Sequence, residues 1–137
     1  MIKEKQRGRF ESDRIGSLLL VRVLGEIDHH SAVSMRSGID EEILDFRPTR
    51  LILDLSGVDF MDSSGLGLIL GRYAAIKGIG GDLVVLNPTQ GVMRILKLAG
   101  AERIIKIENV DLDAALEKYR ENNEKKADKS QKGGKRK

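Results

Sequence analysis

The residues best suited to chemistry are two adjacent serines, Ser63 and Ser64, in a polar run that separates two apolar segments. The segment from Leu51 to Leu55 precedes them, and apolar residues with helical spacing follow as far as about Lys77. This pattern places both hydroxyls where a strand leads into a helix. The first turn of a helix presents unpaired backbone N–H groups and the positive end of the helix dipole, which favour an added phosphate. The position therefore suggests a phosphorylation switch.

The same run has a simpler interpretation as a helix cap. Asp and Ser side chains at a helix start accept hydrogen bonds from first-turn N–H groups, and replacing one by Ala costs about 1 kcal/mol. Capping needs one such residue, whereas this run offers Asp62, Ser63 and Ser64. The glycines that follow, Gly65 and Gly67, leave the backbone open to close approach by a partner. Spacing alone leaves a cap and a partner or modification site as equal alternatives.

A second polar run, from Gly25 to Ala32, lies at another predicted strand-to-helix junction. Its sequence is Gly-Glu-Ile-Asp-His-His-Ser-Ala, in which Asp28 or Ser31 is the expected helix cap. If the two strands are parallel, both junctions lie at the carboxyl edge of the sheet, where α/β folds place their binding surfaces. We therefore expect the two polar runs to be neighbours.

The inventory of reactive side chains is thin for an enzyme. His29 and His30 are adjacent, so on a helix they point about 100° apart and offer no two-ligand face for a metal. We expect one imidazole to face solvent and the other to pack against the protein. A serine hydrolase is poorly supported, because Met61 or Asp62 stands where the nucleophile elbow requires glycine. The chain has no cysteine, which removes disulfides, thiolate chemistry and cysteine-based zinc sites.

Positive charge is concentrated at the carboxyl end of the chain. Residues 121–137 contain seven Lys or Arg against three Asp or Glu, a net of +4, so residues 1–120 carry −1 of the overall +3. This segment has one Ala and no larger apolar residue, so we expect a disordered basic tail. Such a tail binds polyanions loosely. A solubilising extension is the favoured interpretation, and no direct DNA binding is expected.

The length of 137 residues fits one domain with a single core. No apolar run approaches the roughly 18 residues that span a bilayer, and Met1 to Lys5 leads into charge rather than a secretory segment. We therefore expect a cytoplasmic protein without membrane contact. Three parts are predicted: a basic N-terminal lead (1–9), a folded domain (10–120) and the basic tail (121–137).

Apolar periodicity alternates between strand and helix along the predicted domain. Strands are predicted at Phe10–Asp13, Ser17–Leu24, Arg50–Leu55, Leu83–Leu86 and Ile104–Ile107. Helices are predicted from His30 to Pro48, from the serine run to Lys77, from Thr89 to Ala99, and from about Asp111 to Tyr119. This alternation predicts an α/β fold, with a mostly parallel or mixed sheet and helices packed against it.

The two polar runs, the second continued through Tyr73, resemble the two signature stretches of the STAS-domain anti-sigma factor antagonists. The likeness is nearest to the sporulation branch that controls sigma factor F, and it extends from about Phe10 to Tyr119. The resemblance implies a single STAS-type α/β domain, with a mixed four- or five-stranded sheet and about four helices mainly on one side.

The resemblance also implies roles for individual residues. Ser63 matches the serine that the family phosphorylates, within a recognition loop formed by its neighbours. Asp28 matches the acidic residue of the other loop, which in the family helps to engage a kinase and its nucleotide. The partner-binding residues implied are Asp28, His29, Ser31, Asp62, Ser64, Gly65 and Gly67.

By the same resemblance, the unphosphorylated protein binds an anti-sigma factor serine kinase and displaces the sigma factor held there. The kinase uses ATP to phosphorylate Ser63, which ends the interaction until a serine phosphatase resets the protein. The chain is then a substrate and not an enzyme, with no metal or cofactor of its own, and ATP or ADP enters only through the bound kinase. The tail and the basic lead from Lys3 to Arg9 exceed the family pattern, which affects only accessory contacts.

Three other functions are compatible with parts of the sequence. The first is a STAS module serving a stress-response scaffold or a transporter-associated complex. The second is a small hydrolase using Ser63 or Ser64, and the third is a nucleic-acid binder driven by the tail.

Overall fold

The computed structural model describes residues 6–120 of the chain. Strands and helices alternate as the sequence predicts. The strands are β1 (Arg9–Ile15), β2 (Leu18–Ile27), β3 (Arg50–Met61), β4 (Asp82–Leu86) and β5 (Lys106–Glu108). The helices are α1 (His29–Phe46), α2 (Ser63–Gly78), α3 (Gln90–Leu98) and α4 (112–120), with a 3-10 turn at Ala101–Arg103.

The five strands form one sheet in the order β1-β2-β3-β4-β5. Strand β1 pairs antiparallel with β2, whereas every later pair is parallel. The sheet is therefore mixed and five-stranded, which confirms the predicted fold class. Because β2 and β3 are parallel, the segments that follow them emerge at the same carboxyl edge.

Helices α1, α2 and α3 cover one face of the sheet, and α4 covers part of the other. The first face holds the larger core, in which the buried residues of β2, β3 and β4 meet Met35, Ile39 and Ile69. On the second face, the Tyr119 side chain of α4 is 1% exposed in a smaller cluster with Leu18, Leu20, Ile52, Val84 and Leu86. The Arg50 guanidinium lies 4.6 Å from the centre of the Tyr119 ring, and Arg120 borders a groove with Ile15, so the last described turn of α4 lies at the amino edge of the sheet.

The main difference from prediction is the length of β3, which was expected to end at Leu55 and continues to Met61. The second half of the strand contains Ser56, Gly57 and Asp59, which break the apolar pattern. Its backbone nevertheless pairs with β2 as far as Ile27, through two shifts of register. Pairing across the sheet thus overrides a local sequence that resembles a loop.

The N-terminal side of the fold begins before β1. The Glu26 N–H group donates to the Gln6 carbonyl at 3.0 Å, and Arg7 forms an isolated bridge with Glu26. The predicted tail, 121–137, and residues 1–5 of the lead lie outside the described residues. Among residues 6–120, no helix has the length and apolar character needed to cross a membrane.

Candidate partner-docking site

The start of α1 is fixed by a reciprocal cap between Asp28 and Ser31. The Ser31 N–H group donates to Asp28 Oδ1 at 2.9 Å, and the Asp28 N–H group donates to Ser31 Oγ at 3.0 Å. This capping box satisfies two first-turn donors at once. The hydrogen bond from the Ser31 N–H group, followed by the contact with the Ser31 side chain, lowers the pKa of the exposed Asp28 carboxyl. Asp28 is therefore an exposed carboxylate at the end of β2.

Both histidines after Asp28 are exposed. The expectation that one imidazole packs against the protein is wrong. His29 and His30 occupy the first turn of α1, ahead of the point where its buried face begins at Ser31 and Ala32. Their side chains therefore lie at the rim of the domain.

The start of α2 is capped by Asp62, whose Oδ1 accepts a hydrogen bond from the Ser64 N–H group at 2.8 Å. Ser63 is the first residue of the helix, and its side chain is exposed. No group within residues 6–120 hydrogen-bonds to its hydroxyl. Capping thus uses Asp62 and leaves the Ser63 hydroxyl uncommitted.

The two capped helix starts are neighbours, as the sequence predicts for parallel strands. Ile27 and Met61, the last residues of β2 and β3, are register partners. The Asp62 N–H group continues this pairing by donating to the Ile27 carbonyl at 3.2 Å. Asp28 and Asp62 are therefore equivalent positions on adjacent strands, which lie about 4.8 Å apart.

A surface groove of about 230 Å³ runs between the first turns of α1 and α2. We call it the α1–α2 groove, and its lining residues are His29, Ala32, Val33, Arg36, Ser64, Gly67 and Leu68. Val33 is 50% exposed, so the groove presents apolar surface beside the serine run. A concave, partly apolar surface next to an exposed hydroxyl suits docking by another protein.

The two glycines of the serine run have different structural roles. Gly65 is buried, and a Cβ there would overlap the Met61 side chain and approach Ile27 Cγ2 to 3.3 Å. Gly67 is exposed, and a Cβ there would meet nothing within 4 Å. Ser31, in the cap of α1, is buried like Gly65, with 1% of its surface exposed. Ser31 and Gly65 therefore support the site from within, whereas Gly67 faces the groove.

Comparison with known proteins identifies this arrangement. The family model for the STAS domain matches residues 9–114. The chain belongs to the STAS domain family. It is 37% identical over 109 residues to an anti-sigma F factor antagonist of Paenibacillus polymyxa, covering 80% of this chain and 93% of that protein.

Solved structures of one relative resemble the whole domain. The anti-sigma factor antagonist SpoIIAA in its unphosphorylated form matches with a TM-score of 0.73 and 27% identity, over 82% of this chain and 96% of that one. The phosphorylated form of the Bacillus SpoIIAA matches with a TM-score of 0.69 and 26% identity, over 81% and 99%. These matches confirm the predicted resemblance to the sporulation branch of STAS-domain antagonists.

A buried ion pair sets the relation of α1 to α2 in this STAS domain. Arg72 Nε lies 2.8 Å from Asp40 Oδ1, and the Arg72 side chain is 6% exposed. The two atoms form an ion pair without the alignment of a hydrogen bond. Burial lowers the pKa of Arg72, and the Asp40 carboxylate opposes that shift. Removing Asp40 would leave the buried Arg72 charge unpaired and would loosen the two helices that form the groove.

Sequence reasoning missed two groups of residues in this STAS domain. Val33 and Arg36 line the groove, and their only signal is their spacing of four and seven positions from His29 on α1. The second group is the strand extension before β1, where a Cβ on Gly8 would lie 2.8 Å from Ser31 Oγ. The end of the basic lead therefore packs directly on the capping box.

The described part of the chain has no group of three His, Cys, Asp or Glu side chains placed to hold a metal ion. The polar groups at the carboxyl edge are carboxylates, hydroxyls and exposed imidazoles on adjacent loops. This set of groups is suited to recognition and to modification of an exposed serine.

Proposed function

We propose that this chain is an anti-sigma factor antagonist controlled by phosphorylation of Ser63. Its unphosphorylated form binds an anti-sigma factor serine kinase, and the sigma factor held by that kinase is released. The kinase, with its own ATP, phosphorylates Ser63 and ends the interaction, and a serine phosphatase restores the free hydroxyl. The supporting observation is the exposed Ser63 at the first position of α2, beside the Asp28 loop and the α1–α2 groove.

Electrostatics explains how one phosphate switches binding off. A phosphoserine carries about −1.5 to −2 charges near neutral pH. On Ser63 it adds to the carboxylates of Asp62 and Asp28 on adjacent strand ends. An interface that buries this edge must then desolvate clustered negative charge without a matching cation, which is strongly unfavourable.

The fold itself need not change during the switch. The N-terminus of α2 favours an anion, because its unpaired N–H groups and dipole point towards Ser63. The structures of SpoIIAA in unphosphorylated and phosphorylated forms both match this domain, with TM-scores of 0.73 and 0.69. A relative therefore keeps this architecture in both states, which supports a local change of charge rather than refolding.

In this role the chain is the substrate of the kinase and performs no catalysis. Nucleotide and metal belong to the kinase, so the chain needs no cofactor of its own. The same role places it in the cytoplasm, where sigma factors act.

The first test is to incubate the chain with ATP and its cognate anti-sigma factor kinase and to locate added phosphate by mass spectrometry. We expect one phosphate, on Ser63. Ser64→Ala is the matched control, because the cap uses the backbone of Ser64 and the variant keeps Ser63. Phosphate on Ser64 instead, or none on either serine, would contradict the proposal.

The second test compares the affinities of two variants for the kinase by calorimetry. Ser63→Ala should bind like the unphosphorylated chain and should not be released by ATP. Ser63→Asp should bind about 30-fold more weakly or worse, since burying an unpaired charge costs several kcal/mol. Equal affinities for the two variants would count decisively against the mechanism.

A further inference from the structure

The α1–α2 groove is too small to be the whole docking surface. It is lined by seven residues. A stable protein interface takes about 20–30 residues and roughly 800 Å² from each partner. The kinase surface proposed above must therefore cover more of the carboxyl edge than this groove.

Phe60 supplies exposed aromatic surface on the other side of Ser63. It is the penultimate residue of β3, three positions before Ser63, and it is 56% exposed. Val58, two positions before it, and Met61, directly after it, are buried in the core, whereas Asp59 is exposed. A large aromatic side chain left exposed beside a functional loop is typical of a binding anchor.

Phe60 borders a second groove of about 240 Å³, between the end of β3 and the first turns of α3. We call it the β3–α3 groove, and its lining residues are Asp59, Phe60, Met61, Gly91, Val92, Arg94 and Ile95. The Thr89 hydroxyl donates to the Val58 carbonyl at 3.3 Å, which fixes the start of α3 against β3. The groove is therefore part of the packed scaffold.

The β3–α3 groove combines apolar lining with an exposed cation. Phe60 and the half-buried Ile95 supply apolar surface, Asp59 adds an exposed carboxylate, and the exposed Arg94 forms no ion pair with any residue from 6 to 120. A Cβ on Gly91 would meet nothing within 4 Å, so the first turn of α3 leaves room for a visiting side chain. The groove is therefore suited to bind a partner segment in which an apolar side chain stands next to a carboxylate.

The two grooves lie on either side of the modified residue. Ser64 lines the α1–α2 groove, Met61 lines the β3–α3 groove, and Asp62 and Ser63 stand between them. We infer that the β3–α3 groove is the second half of the kinase-docking surface. Phe60 packs there against an apolar side chain of the kinase, and Arg94 pairs with an acidic residue of the kinase. This inference rests on the proposed function.

Calorimetry of unphosphorylated variants with the cognate kinase and a non-hydrolysable ATP analogue tests the inference. Phe60→Ala should weaken binding by about 30-fold, as expected for an aromatic anchor. Phe60→Leu should retain part of the affinity. Ile104→Ala is the matched control, because Ile104 is also 56% exposed but lies outside both grooves. Its affinity should equal that of the unmodified chain.

Arg94→Gln tests the charged part of the groove without altering the aromatic anchor. It should weaken binding several-fold at low salt and reduce the dependence of affinity on salt. Thermal melting of every variant shows whether its fold is retained. If Phe60→Ala melts well below the unmodified chain, the kinase affinities of Phe60→Leu and Arg94→Gln show whether the groove contributes to binding.

The outcomes separate this inference from the proposed function. If the unmodified chain binds the kinase and gains phosphate on Ser63 while Phe60→Ala and Arg94→Gln bind equally well, the inference is wrong and the proposed function stands. Equal weakening by Phe60→Ala and Ile104→Ala would also overturn it, as would a change of oligomeric state in Phe60→Ala, which would assign the groove to a second copy. If the unmodified chain neither binds nor gains phosphate, both fail.

Discussion

Asp28 links the stability of the domain to pH. The Ser31 N–H group holds its pKa below the ordinary Asp value, so the unfolded chain takes up this proton first as the pH falls. The ionised Asp28 therefore stabilises the folded chain above the ordinary Asp pKa of about 4. This stabilisation is lost as the pH falls through the lower pKa that Asp28 has in the folded chain. Asp28→Asn keeps a good capping residue, so we expect little change in melting temperature at pH 7 and a shallower decline between about pH 5 and pH 3.

The unmodified chain, measured under the same conditions, is the reference for this titration. Melting temperatures measured in steps of half a pH unit would compare the two chains. An undiminished decline in Asp28→Asn would show that the capping box does not contribute to acid sensitivity.

Individual residues of the site differ in how far the sequence predicts them. Asp28, Asp62 and Ser63 follow from the sequence, because polar residues directly after an apolar strand mark a helix start. Their proximity follows from parallel pairing. Val33 and Arg36 do not, because their position in the groove depends on how α1 packs against α2 through the Arg72 ion pair.

The two glycines near the start of helix α2 differ in what surrounds them. Gly65→Ala forces a Cβ onto the Met61 side chain, so we expect a loss of about 1–3 kcal/mol in unfolding free energy. Gly67→Ala adds a methyl group to open space, and alanine favours a helix by about 1 kcal/mol over glycine. Gly67→Ala should therefore raise the melting temperature by a few degrees and still weaken kinase binding.

Denaturant unfolding and calorimetry with the kinase measure these two effects separately. Each glycine variant serves as the control for the other, since both change the same helix by one methyl group. Full affinity in Gly67→Ala would mean that the partner does not approach the backbone of α2.

The secondary structure elements were largely predictable because their periodicities differ. The apolar stripe of α1, from Ala32 to Ile43, predicts a helix with one buried face. The nearly continuous apolar run of β2 predicts a strand that is covered on both faces of the sheet. The second half of β3 and the 3-10 turn were not predictable from these patterns. In the second half of β3, polar residues and glycine are accommodated by shifts of register with β2, and the sequence of β3 alone does not reveal this pairing.

At the scale of the whole molecule, the two edges of the sheet have separate roles. The candidate docking site lies at the carboxyl edge, whereas α4 ends at the amino edge on the opposite face, where Tyr119 packs beside Arg50. Arg120, the last residue that the structure describes, therefore lies at the edge opposite to Ser63. A chain truncated after Arg120 should keep its melting temperature within about 2 °C, because residues 121–137 contain no apolar side chain larger than Ala. It should also keep its kinase affinity.

A chain truncated after Asp111 is the contrasting control. It loses α4 and exposes Leu18, Leu20, Ile52 and Val84, which Ala115 and Tyr119 otherwise cover. Removing a fully buried Tyr and its neighbours should cost about 3–5 kcal/mol or more, so this shorter chain should melt far lower or fail to fold. The opposite result for truncation after Arg120 would be that the intact chain binds DNA and the truncated chain loses both DNA binding and kinase affinity. That result would make the basic tail part of the function.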